Sequence, residues 1–149
     1  MKIKIYSEGN IILPFEGVKK RDIKIYLLKL CKVLKINRAS ITVIVTDDEY
    51  IHKINKDYRN KDKPTDVISF VYRDPPFPEV SSKNKFLGDI FISLEKASSQ
   101  AKDYEVDIKD EIKRLLVHGL LHLIGYDHER SKEDEYKMQK KEEEVLSRI

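Results

Sequence analysis

Apolar and polar side chains alternate through Lys-Ile-Lys-Ile-Tyr at residues 2–6, the two-residue period of a strand with one buried face. The apolar residues at 11–13 read as a continuation of that strand or as its partner. The period then lengthens. Ile23, Leu27, Leu30 and Leu34 recur at three- and four-residue steps, which predicts a helix over about 19–34 with one apolar stripe. A β-branched run at 41–45 predicts a second strand. Thr46 and Glu49 have the spacing of a capping box, opening a second helix whose buried face is Ile51, Ile54 and Tyr58 and whose C-terminal end delivers Arg59.

Strands at 67–72 and 86–92 flank the proline-rich stretch 73–78, which cannot easily join a sheet ladder, so the two strands form an antiparallel pair. Helices follow at 94–104 and 108–124, the second with Ile112, Leu115, Leu116 and Leu123 on its core side. Ser131 and Asp134 start a last, highly charged helix anchored by Tyr136, Met138, Val145 and Leu146. Strands and helices mix without strict β-α alternation, and 149 residues suit one core. The expected fold is therefore α+β: a single domain over 1–149, with a small mixed sheet packed against helices.

A net charge of +3 permits a nucleic-acid partner without requiring one, so the distribution of charge matters more than its sum. Lys53, Lys56, Arg59, Lys61 and Lys63 crowd one short segment. That segment is an RNA-binding candidate, and a solvated helix face and loop would look the same. No stretch approaches the ~20 apolar residues of a membrane span, and the first residues lack the apolar run of a signal peptide, which points to the cytoplasm. The lone Cys31 can pair with no other cysteine in the chain and reads as core packing.

Candidate chemistry concentrates in His118-Gly-Leu-Leu-His122-Leu-Ile-Gly125-Tyr-Asp-His128. Residues four apart on a helix project from one face, so His118 and His122 can reach one ion. On a continuing helix His128 would point roughly 120° away, so the helix must stop first, and Gly125 supplies the stop. Three neutral imidazoles suit Zn²⁺ and leave a fourth tetrahedral position for water, the catalytic arrangement. The spacing resembles the metzincin peptidase pattern, a metal helix followed by a turn, but Gly119 stands where those enzymes carry their glutamate base. His52, between Ile51 and Lys53, reads as a surface residue.

Three motifs in order, Asn55 through Phe70 (Asn-Lys-Asp-Tyr-Arg-Asn-Lys-Asp-Lys-Pro-Thr-Asp-Val-Ile-Ser-Phe), Leu87-Gly-Asp-Ile90, and the histidine stretch, resemble the YbeY family of bacterial endoribonucleases. The resemblance covers about residues 55–128; Val71 departs from it, since many members have proline there. It implies a zinc-dependent endoribonuclease specific for single strands. Its task would be maturation of the 3′ end of small-subunit ribosomal RNA and ribosome quality control, with the small subunit and its assembly factors as partners. Zinc ligands would fall on His118, His122 and His128, and the arginine contributing to cleavage on Arg59. A forked contact from Arg59 to the scissile phosphate suits that role, against a salt bridge to Asp62 or Asp66. Asp66, Asp89 and Asp127 are candidates for a proton acceptor, or for a carboxylate that orients a metal-bound imidazole. Thr65 and Ser69 could touch phosphates or cap local structure, and Pro64 fixes the loop. A metallopeptidase and a non-catalytic, metal-stabilised ribosome-assembly protein are the competing readings.

Overall fold

In the computed structural model, which describes residues 1–72 and 85–149, four strands form one mixed sheet in the order β1-β2-β4-β3. These are β1 (Lys2–Ser7), β2 (Ala39–Thr46), β3 (Val67–Val71) and β4 (Lys85–Ser93). β1 and β4 run parallel to the central β2, while β3 lies antiparallel to β4 at the sheet edge, as the sequence pattern predicts. The helices are α1 (Lys20–Val33), α2 (Asp48–Arg59), α3 (Leu94–Asp103), α4 (Ile108–Leu123) and α5 (Lys132–Leu146). The α+β class holds. The connection expected at 73–78 lies outside the described residues.

Alternation along the strands sorts side chains onto two faces. Ile41, Val43, Val45, Ile90 and Ile92 turn to one face, where they meet Ile23, Leu27 and Leu30 of α1 and Ile112, Leu115 and Leu116 of α4 in the main core. Each of these is essentially sealed from water. On the other face the register sets Ile44, Phe91 and Ile68 in one row, and Phe70 beside Asp89 in the next. Phe70 packs edge-on against Phe91 at 5.7 Å and against Tyr58 of α2 at 6.0 Å. Cys31 is buried in the main core, and burial pushes its thiol up to about 11, in keeping with a packing role.

Four local expectations are corrected. Residues 11–13 form no strand, because Gly9, at φ +71°, turns the chain away after β1, and Ile11 enters the core from a loop. α2 is capped by Asp47 and not by Thr46. The strand runs through Thr46, whose hydroxyl donates to the Ile92 carbonyl at 3.2 Å, so Asp47 is the first side chain free to accept, from the Tyr50 N–H at 2.8 Å. Tyr58 is 71% exposed, and the buried position on that helix is Asn55. Tyr136 is exposed as well, leaving Met138 and Val145 as the buried anchors of α5. Among the described residues, no helix is long and apolar enough to cross a membrane.

Gly88 sits in β4 at φ +142°, and a β-carbon there would run into the Phe70 carbonyl and press on Leu123 at 3.0 Å. Gly17, at φ +85°, has open space around it. Gly88→Ala should therefore lose at least about 3 kcal/mol in a denaturant melt and Gly17→Ala only about 1 kcal/mol. Equal losses would mean that backbone strain alone, without the close approach, sets the cost.

Candidate metal centre

α4 is built to carry polar ligands on one side of an otherwise buried rod. Asp107 caps it by accepting from the Lys109 N–H at 2.8 Å, and acidic residues occupy its first turn, where the helix dipole favours them. Leu115, Leu116, Val117, Leu120 and Leu121 are buried around the helix, while His118 and His122 remain partly open to a cleft. The helix stops as the glycine spacing requires. Gly125 takes φ +111°, its N–H reaches back to the His122 carbonyl at 3.2 Å, and the chain folds over to return His128.

His122 Nε2 lies 3.2 Å from His118 Nε2 and 3.1 Å from His128 Nδ1. Among the described residues, these three form the one group of potential ligands close enough to share an ion. A tetrahedral zinc with Zn–N bonds of about 2.0–2.1 Å would set neighbouring nitrogens about 3.3–3.4 Å apart. The observed spacing fits it. Three ring nitrogens aimed at one point repel through their lone pairs unless a cation or proton lies among them, so the donor set fits a metal ion. On the far side of the first ring, His118 Nδ1 lies 2.6 Å from Glu142 Oε1 on α5.

The histidines open into a cleft of about 610 Å³ that also takes in Arg59, Lys61, Lys63, Thr65, Asp66, Ser69 and Asp127. Among the described residues Arg59 hydrogen-bonds only the Asn55 side-chain oxygen, at 3.5 Å, and forms no ion pair. Both carboxylates that could have held it are engaged elsewhere. Asp62 pairs with His52 at 2.7 Å, a contact that lowers the Asp62 pKa, so His52 is more than a bare surface residue. Asp66 lies 3.8 Å from Arg114, whose guanidinium grips the buried Glu111 through two bonds of 2.7 Å. Asp127 accepts from the Glu129 N–H at 2.9 Å, which lowers its pKa and stiffens the turn that carries His128.

Asp89 does not join the site. It lies on the opposite face of the sheet, in a separate hollow beside Lys2, Lys4 and Thr42, where burial raises its pKa. Lys56 is exposed on α2 and does not line the cleft. The Ser69 hydroxyl donates to the Gly119 carbonyl at 2.9 Å, tying β3 to α4, while Thr65 leans on Asp66 at 3.4 Å. Gly119 itself faces the sheet: a β-carbon there would meet Ile90 at 2.9 Å. The glutamate of the metzincin pattern has no room at this position.

Two residues that shape the site escape sequence reasoning. Asn55, buried on α2, donates to the Lys63 carbonyl at 2.9 Å and so folds the basic loop back beside Arg59. Glu142 sits in a Glu-Glu-Glu run at 142–144, and nothing in the sequence sets it apart from its neighbours.

β3 also borders the cleft. The Tyr72 N–H bonds to the Leu87 carbonyl and the Ser93 N–H to the Asp66 carbonyl, so the even-numbered residues of β3 pair with β4. By the alternation of an antiparallel ladder, the backbone groups of Val67, Ser69 and Val71 turn outward along the free edge. All three residues line the cleft.

The fold is a mixed sheet packed with helices, and it carries three convergent histidines that could hold a metal ion, set in a cleft with basic residues at its rim. More narrowly, the chain belongs to the YbeY family: the family model described as Endoribonuclease YbeY matches residues 16–149. It is 42% identical over 132 residues to the Endoribonuclease YbeY of Aquifex aeolicus, covering 89% of this chain and 85% of that one. It is 40% identical over 140 residues to the Endoribonuclease YbeY of Persephonella marina, covering 94% and 90%. A Thermotoga maritima protein with a known solution structure superposes with a TM-score of 0.64 at 24% identity, over 98% of this chain and 87% of that one, and shares the fold.

Burial, followed by the neighbouring His118 and His128, lowers the His122 pKa, with Asp127 opposing. A histidine held neutral in the folded state costs nothing above the ordinary imidazole value of about 6.5, and destabilises the fold as pH drops below it, because the unfolded chain takes the proton first. The metal-free protein should therefore melt at falling temperatures from about pH 7 to about pH 5, and His122→Asn should flatten that slope. Parallel slopes for the two proteins would contradict this account.

Proposed function

We propose that the chain, acting as one domain over residues 1–149, is a metal-dependent endoribonuclease that cuts single-stranded RNA in the cleft beside α4. One observation carries the reading: three ring nitrogens converge in the same cleft as Arg59, an arginine that no carboxylate among the described residues holds. His118, His122 and His128 would hold the ion, with zinc the best match to three imidazoles. When bound, such an ion supplies Lewis acidity to a water molecule and to a phosphoryl oxygen. Arg59 supplies a planar fork that grips phosphate oxygens in pairs and offsets charge as it develops in the transition state.

Lys61 and Lys63 draw the RNA backbone to the rim, and the outward backbone groups of β3 offer an extended strand a row of donors and acceptors. Asp66 and Asp127 serve here as structural carboxylates, bracing Arg114 and the histidine turn. The family resemblance further supports maturation of the 3′ end of small-subunit ribosomal RNA and ribosome quality control in the cytoplasm, with the small subunit and its assembly factors as partners. The close approach of Gly119 to the sheet argues against peptidase chemistry, which would need a base at that position.

The test uses a labelled single-stranded RNA and the metal-loaded protein. His122→Ala should reduce cleavage to background while the variant still melts cooperatively. Arg59→Lys should lose about 10²–10³-fold in kcat, with RNA binding nearly unchanged, because a point charge replaces the fork. Cleavage by His122→Ala equal to that of the wild type would reject a catalytic metal and favour a purely structural one. Retained cleavage by Arg59→Lys would reject the forked contact.

A further inference from the structure

α5 packs on α4 through Met138 and Val145, both buried, and Glu142 stands four residues beyond the first of these and three before the second. The three therefore share one helix face, and a glutamate occupies a position in the stripe that meets the rest of the molecule. Its side chain is only 17% exposed, and Oε1 lies 2.6 Å from His118 Nδ1. A carboxylate carries no proton to donate, so Nδ1 is the donor in this contact. Imidazole then presents its lone pair at Nε2, and Nε2 is the atom that lies 3.2 Å from His122 Nε2 in the convergent group.

We propose that Glu142 is the positioning residue of the metal centre: by accepting a hydrogen bond from Nδ1–H it fixes the tautomer and tilt of His118, so that α5 forms part of the site and is more than a peripheral clamp. A carboxylate behind a ligating imidazole also makes the ring a better donor. The inference rests on reading the three histidines as a metal site, and the experiment separates the two claims.

Zinc affinity is measured by competition with a chromophoric chelator, on the full chain first and then on Glu142→Ala, Glu142→Gln and the outward-facing control Glu143→Ala. Melting of each metal-free protein is recorded alongside. The wild type and Glu143→Ala should bind alike, and Glu142→Ala should bind about 10–100-fold more weakly. Glu142→Gln should lose less, since its amide oxygen still accepts from Nδ1 without the charge. Cobalt substituted for zinc should show a shifted visible spectrum in Glu142→Ala, reporting altered ligand geometry. Should the wild type fail to bind zinc, the metal reading itself falls. Should the wild type bind and both Glu142 variants match it, or lose only melting temperature, Glu142 is a packing residue and the proposal is overturned. If Glu142→Ala does not fold, Glu142→Gln decides between these outcomes.

Discussion

The close approach of α4 to the sheet at Gly119 governs where everything else in the site can stand. With no side chain at 119, the helix comes near enough for Ile90 to fill the space a β-carbon would take, and for the Ser69 hydroxyl to bond the Gly119 carbonyl across the gap. A helix pinned at that distance cannot roll, because rolling would drive a leucine of its buried faces into β4. Its rotation is thereby set. His118 and His122 are left on the flank that looks past the edge strand, and the cleft forms between that flank and the loop after α2.

Charge in the cleft is organised by commitments made outside it. Glu111 is buried and needs a partner, and Arg114 satisfies it with a two-pronged contact while also approaching Asp66. His52 takes Asp62. With both of these acids engaged, Arg59 keeps only a long contact to Asn55 among the described residues. The same Asn55 holds the Lys63 carbonyl and so sets the loop that carries the lysines of the rim. The cleft's capacity for an anion thus comes less from the count of positive residues than from which of them the fold leaves without a counter-charge.

The last helix links this arrangement to the C-terminal end. Its surface is highly charged, yet its buried face carries a carboxylate against the outer nitrogen of the His118 ring. One short hydrogen bond thus ties the packing of α5 to the His118 ring. The turn between α4 and α5 is held by Gly125, by Asp127 and by the Ser131 cap, which accepts from the Asp134 N–H at 3.1 Å, so His128 is supported from both sides.

Much of this was legible in the residues alone. Period sets the element type, so the helices, the strand pair around 73–78 and the α+β class followed from spacing, and the histidine trio followed from helix geometry plus a glycine stop. Spacing failed where competition between neighbours decides. Thr46 and Asp47 are both good caps, and only the end of β2 determines which one is free. Tyr58 and Tyr136 fit apolar stripes by position, but among the described residues Tyr58 meets Phe70 only edge-on and Tyr136 lies under the Lys140 ammonium, so both rings stay exposed. Asp89 matched a motif near the others in sequence and landed on the far face of the sheet, because adjacent strand residues point in opposite directions. Glu142 and Asn55 gained their places only through contacts across 24 and 8 residues. A chain records which side chains share a local face. Which distant polar groups satisfy one another is fixed only when packing brings them within bonding distance and removes the water that would otherwise have served.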